Sequence, residues 1–238
     1  MSSLSELILS AKRMCALERS NTIRQEEWIK YVNDGVKKYW NYMNRTCQDY
    51  HIKEVFIQTQ YNVARYVLPD DFLYVRGFDI VTTPVTDPIT SPPQLQNMIP
   101  MIPYYFEERG QFSYPLYSTF FNNFYYLQAY YRIIPGNPSL VDIQPLNINS
   151  NWVRCTYTPS APELVNQGDT VKGFNGWDEY SAAWAAFRAL SKQQLDTTDV
   201  EKIMREYENT ISVYADSVNR DRGQRVVDVN MQTGLWGW

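Results

Sequence analysis

"EEWIKYVNDGVKKYW", residues 26–40, decides how the chain is built. Its apolar residues Trp28, Ile29, Val32, Val36, Tyr39 and Trp40, continued by Met43, recur at steps of three and four, the period of a helix with one buriable face. Thr22 and Gln25, three apart just upstream, form a capping-box pattern, and the helix should run to about Arg45. Asn33 sits beside the stripe, either as a solvated flank or as a polar group that needs a partner inside the fold. The preceding "SLSELILSAKRMCALERS" repeats the pattern: Ser3 and Glu6 make a second capping box, and Leu4, Leu7, Ile8, Ala11, Met14 and Leu17 line one face.

All thirteen prolines lie between Pro69 and Pro162, and proline is what helix interiors exclude. Helical sequence returns after residue 174. "FNGWDEYSAAWAAFRAL" offers Asn175 as an N-cap and Asp178 in a first turn, with Trp177, Tyr180, Trp184 and Phe187 on one stripe. Thr198 and Glu201 then form a further box, and Val200, Ile203, Met204, Tyr207, Ile211, Tyr214 and Val218 carry the period to about Arg220. Two helical hairpins therefore flank a proline-bearing insert. The expected fold is α+β: a four-helix bundle, two helices from each end of the chain, with an inserted β-rich domain and an extended C-terminal arm. The expected bounds are residues 1–52 and 171–222 for the bundle, 53–170 for the insert and 223–238 for the arm.

Within the insert, Val55 to Ile57 and Tyr66 to Leu68 read as strands, "PDDF" at 69–72 as a turn, and "LYVRGFDIV" as the strand it leads into. "WVRCTYT" at 152–158 alternates, with Val153, Cys155 and Tyr157 on the buriable side. Residues 84–103 hold six prolines, which predicts a long loop or extended segment rather than regular structure.

Composition removes several function classes. A net charge of −4 leaves no basic footprint for wrapping nucleic acid. Cys15, Cys47 and Cys155 are odd in number and lack CxxC spacing, so they read as reduced core thiols of a protein folded in a cytoplasm. Neither an export signal nor a membrane span is expected. His51 is the single histidine, so neither a catalytic arrangement with a second histidine nor a histidine-rich metal cluster is expected, and no glycine-rich phosphate loop occurs. The carboxylate pairs Asp70/Asp71 and Glu107/Glu108 are the remaining acid and base candidates for a glycosidase, and adjacent carboxylates are commonplace in turns. No enzyme activity, cofactor or metal is expected.

Two stretches stand out as contact surfaces. Residues 104–131 carry thirteen Phe and Tyr in twenty-eight positions, among them Tyr104, Tyr105, Phe106, Tyr125 and Tyr126. They read as a β-domain core plus a tyrosine-rich subunit surface, with a sugar-binding platform of a carbohydrate-binding β-module as the alternative. Residues 226–238, "VVDVNMQTGLWGW", hold seven apolar side chains, Val226, Val227, Val229, Met231, Leu235, Trp236 and Trp238, and no basic residue. A last strand on its own core, a leftover of a tag, or an arm lying on another molecule would each explain them. Burial of seven such side chains about matches the cost of ordering thirteen residues, so a single arm gains little unless main-chain hydrogen bonds or many simultaneous copies add to it.

The order of the pieces, with Asn33 in the second helix, "LPDDF" at 68–72, "YTPSAP" at 157–162 and "NGWDEY" at 175–180, resembles the head-to-tail adaptor, or connector, family of tailed bacteriophages, over residues 3 to about 229. The resemblance implies a virion protein rather than an enzyme, made and folded in the host cytoplasm, closed into a ring of about twelve copies between portal and tail. DNA would leave the capsid through that ring without sequence-specific binding. It also implies that the C-terminal arm clasps the portal through the seven apolar residues above; the tyrosine-rich surface read from composition, with Tyr104, Tyr105, Phe106, Tyr125 and Tyr126, would then face a ring neighbour or a tail (nozzle) protein. The long proline-rich loop and the tyrosine-rich region depart from the shorter members of that family.

Overall fold

A computed structural model describes residues 2–18, 22–47, 49–60, 63–81, 88, 98–107, 129–144, 152–171, 173 and 175–220. In chain order the elements are β1 (Ser2–Ser3), α1 (Leu4–Met14), α2 (Gln25–Thr46), β2 (Lys53–Gln58), β3 (Arg65–Val67), β4 (Phe72–Val81), β5 (Met98–Pro100) and β6 (Ile102–Pro103). They continue with β7 (Tyr130–Ile134), β8 (Leu140–Gln144), β9 (Trp152–Pro159), β10 (Thr170–Val171), α3 (Glu179–Lys192) and α4 (Thr198–Arg220). The content is α+β, with four helices and three sheets among the described residues. The chain separates into a helical unit, residues up to Tyr50 and from Pro162 onward, and a β unit, His51–Ala161. The second boundary lies nearer the β9 strand than the sequence reading put it, because residues 162–171 are tied to the helices. Leu164 is clamped by Asn33, the carbonyls of Gln167 and Asp169 accept from the Ser5 and Leu4 amides, and β10 pairs with β1.

Local chemistry explains the helix starts. The Ser3 box is complete: its hydroxyl accepts from the Glu6 amide at 3.3 Å, and its own amide donates to the Glu6 carboxylate at 2.8 Å. The other expected caps move. Arg24 stands at the N-cap of α2 with no side-chain cap bond, and Thr22 instead accepts from the Gln193 amide group. Asn175 lies in a left-handed turn with Gly176, at φ 52° and 77°, so α3 begins only at Glu179, after Asp178. At α4 the hydroxyl of Thr197, not Thr198, donates to Glu201, and Thr198 donates to Asp196.

The expected four-helix bundle is not formed. In such a bundle each helix turns one stripe toward a shared core. Here α3 is the axis: Ala182, Ala183, Ala185, Ala186 and Ala189 are 0% exposed and, with buried Tyr180, Ser181 and Leu190, cover most of its circumference. α1, α2 and α4 each pack on α3, while α1 and α4 make no substantial contact. Small side chains let neighbours approach α3 closely on several sides. At Gly35 of α2 a Cβ would stand 2.5 Å from the Ser181 carbonyl oxygen, and the Cys15 thiol, at the end of α1, lies 3.6 Å from the Ala186 carbonyl. α4 fully buries only Val200, Ile211 and Ala215 among its described side chains, and it packs on α3 and α2 rather than into a core shared by all four helices.

The β unit is two four-stranded sheets, β2-β9-β4-β5 and β3-β8-β7-β6. Leu68, Phe78, Ile80, Met101, Tyr131, Val141, Ile143, Val153, Cys155 and Tyr157, drawn from both sheets, make one core. β9 alternates as its sequence predicts up to Tyr157, with Val153, Cys155 and Tyr157 inward. Two of the chain's changes of sheet fall on buried apolar residues, Leu68 between β3 and β4 and Met101 between β5 and β6. Residues 98–103, expected to be irregular, are therefore the edge strands β5 and β6, and the Met101 amide donates to the Phe78 carbonyl at 2.8 Å. The remaining residues of 84–97, apart from Pro88, lie outside the described ones.

Candidate interaction surface

Several of the chemistry-bearing side chains are engaged in structure. His51 is buried, and burial lowers its imidazole pKa to about 4, which leaves it neutral at physiological pH. Asp71 accepts from the Lys53 ammonium at 2.6 Å and from the Tyr157 hydroxyl at 2.9 Å. Burial works against its charge, but these two donors outweigh that and hold its carboxyl below the usual range. Asp71 thus ties β2 to the turn after β3, while Asp70 and Glu107 are exposed and Glu108 lies outside the described residues. No group of three or more His, Cys, Asp or Glu among the described residues is placed to hold a metal ion. Cys15, Cys47 and Cys155 are free and buried, and burial raises the thiols of Cys15 and Cys155 to about 11 and about 12.

The rings at 104–106 divide by exposure. Tyr104 is buried beneath the guanidinium of Arg132, whose carbon lies 5.6 Å from the Tyr104 ring centre and 4.9 Å from that of Phe106. Arg132 also pairs with Asp142 at 3.4 Å, its register partner on β8. Burial, then the Asp142 carboxylate, raises the Tyr104 phenol. The neighbouring Ile102, Tyr105 and Phe106 are 42%, 73% and 53% exposed. An arginine packed against rings therefore fixes the stretch after β6 that presents Tyr105 outward. Arg132 and Asp142 escaped the sequence reading, since nothing in sequence pairs residue 132 with residue 104. Tyr125 and Tyr126 lie outside the described residues.

In the helical unit, polar groups fix the course of α4. The Tyr42 hydroxyl donates to the Glu208 carbonyl at 2.8 Å and lies 2.7 Å from the Ser212 hydroxyl. The Tyr180 hydroxyl donates to the Glu208 carboxylate at 2.9 Å, and that of Tyr207 to Glu179 at 3.1 Å. Burial, then the glutamates, pushes the Tyr180 phenol far above its ordinary value and that of Tyr207 up to about 12, so both remain donors. The Trp177 and Tyr214 rings meet edge-on at 5.1 Å. Val226, Val227, Val229, Met231, Leu235, Trp236 and Trp238 lie outside the described residues.

Asn33 is a polar group partnered inside the fold and not a solvated flank. The residue is 8% exposed; its amide nitrogen donates to the Leu164 carbonyl at 2.9 Å and its amide oxygen accepts from the Leu164 N–H at 2.8 Å. Asp178, 1% exposed, accepts from the Ser2 amide at 2.7 Å. These are scaffold contacts, satisfying buried backbone groups rather than presenting them to a ligand. Among the described residues no helix is long and apolar enough to cross a membrane. The sequence matches no family model and no curated protein.

Proposed function

We propose that this chain is a structural, non-enzymatic head-to-tail adaptor of a tailed bacteriophage virion, joining a portal to a tail through a closed ring of about twelve copies. The genome would pass through the ring without sequence-specific contact. The observation that carries the reading is α4: a 23-residue helix anchored at Glu208 by the hydroxyls of Tyr42 and Tyr180, which leads directly into "RDRGQR" and then the apolar residues 226–238. A rigid helix followed by a segment that gains little by folding alone suits a subunit that docks on another polypeptide many copies at a time. The exposed Tyr105 and Phe106 of the β unit supply a second surface, for a ring neighbour or a tail protein.

Deletion of residues 226–238 tests it. The shortened chain is expected to keep its helical circular dichroism and to lose capture by portal rings. Loss of the fold on deletion, or undiminished capture, overturns the reading.

A further inference from the structure

We propose that the outer edge of β2 receives residues Val226–Gln232 of a second copy as an added strand, linking neighbours in the ring; this rests on the adaptor reading above. Sheet edges are templates for pairing, and proteins blunt them with short strands, prolines and charges. Among the described residues, three of the four sheet edges of the β unit are blunted in that way. β5 has three residues and ends at Pro100, β6 has two and ends at Pro103, and β3 has three with Arg65 at its start.

β2 is the exception. It runs six residues, Lys53 to Gln58, with no proline and no register shift against β9, and among the described residues its backbone bonds to β9 alone. The charges that would repel an incoming strand are paired within the sheet although half exposed: Lys53 with Asp71, and Glu54 with Arg154 at 3.3 Å. The core side of the strand is unfinished, since Val55 and Ile57 pack on the core yet remain partly exposed.

The segment 226–232, "VVDVNMQ", matches this edge face for face. Val227, Val229 and Met231 alternate with Asp228, Asn230 and Gln232, as Val55 and Ile57 alternate with Glu54, Phe56 and Gln58. The segment has no proline or lysine and is long enough to cover all six residues of β2. Added as a strand it places its apolar members over the exposed flanks of Val55 and Ile57, and main-chain hydrogen bonds supply the affinity that side-chain burial alone lacks. Leu235, Trp236 and Trp238, beyond it, remain for the portal.

Hydrogen exchange of the full chain, followed over rising protein concentration, tests this. The amides of 53–58 that do not bond to β9 are expected to slow about tenfold or more as concentration rises, while β9, already interior, does not change. Val229→Pro and, on the edge, Phe56→Lys abolish that slowing; Thr233→Pro, outside the paired stretch, retains it. Exchange in β9 serves as the control for folding in each variant. Protection that is independent of concentration means that the segment lies on its own subunit, and no protection at any concentration means that the edge is not its site; either result overturns the proposal. Portal capture measured on the same samples separates its failure from failure of the adaptor reading, because capture through Leu235, Trp236 and Trp238 persists when only the edge contact is wrong.

Discussion

The helical unit and the β unit use buried polar groups in opposite ways. In the helical unit the polar contacts join segments far apart in sequence to backbone: Asn33 to Leu164, 131 residues on, and Asp178 to Ser2, across 176 residues. In the β unit the core is apolar, and its charges pair between strands, Arg154 with Asp79 at 2.8 Å and Arg132 with Asp142. The difference follows from connectivity. A contiguous β unit sets register by turns and alternation, whereas a unit assembled from two distant pieces of chain has apolar stripes that tolerate sliding. A two-point amide clamp does not slide, so it supplies the register that short connections would otherwise provide.

Truncation of one residue in each unit is the strongest way to break this comparison. Phe78→Ala removes a 1% exposed ring from the β core and is expected to cost about 4 kcal/mol in denaturant unfolding. Asn33→Ala leaves the Leu164 N–H and carbonyl buried without partners, for about 3 kcal/mol. Amide exchange tells where each loss falls: Phe78→Ala should loosen β4 and β9 first, Asn33→Ala residues 162–171 and α2. Equal loosening everywhere in both variants would mean that the chain unfolds as one block and that the two designs are not separate.

A pH measurement sharpens the comparison, because the β unit's buried His51 has no counterpart in the helical unit. Its folded pKa, about 4, lies below the ordinary 6.5, so the unfolded chain binds more protons between these values and stability falls as pH drops from 6.5 toward 4. The expected loss attributable to this residue is about 2 kcal/mol at pH 5 relative to neutral. Subtracting the same pH series for His51→Gln isolates it from the carboxylates. A histidine ring signal that titrates near 6.5 would refute the burial argument.

How much of this was legible beforehand depended on whether a feature is set by neighbours in sequence. The Ser3 and Glu6 box, the strand at 152–158 and the strands flanking "PDDF" rest on local alternation or spacing, and the structure has them. The bundle was misread because a stripe shows which face is buried but not how many neighbours bury it. Five alanines in "AAWAAFRA" admit close packing on several sides, a meaning that periodicity cannot carry. Residues 98–103 were read as irregular because proline is tolerated in edge strands, where its missing N–H is not needed by the ladder. Of the surface at 104–106, exposure of Tyr105 was open to guess from composition, but the Arg132 clamp depends on the β6 and β7 pairing across 28 residues.

The smallest expected effect separates a capping pattern that is used from one that is not. Ser3 and Thr22 both stand three residues before a Glu or Gln at the head of an amphipathic helix. Ser3→Ala is expected to cost about 1 kcal/mol, since it removes the acceptor for the Glu6 amide. Thr22→Ala removes no cap bond from α2, deletes an exposed hydrogen bond from Gln193 and is expected to cost less than about 0.5 kcal/mol. Thermal unfolding of the two variants side by side measures the gap, and exchange at the Glu6 amide localises it. The gap has a limit, because the Leu4 and Ser5 amides at the head of α1 are already taken by the Asp169 and Gln167 carbonyls. Equal stabilities for the two variants would therefore assign the start of α1 to that loop, making it one more contact that stitches the two ends of the helical unit together.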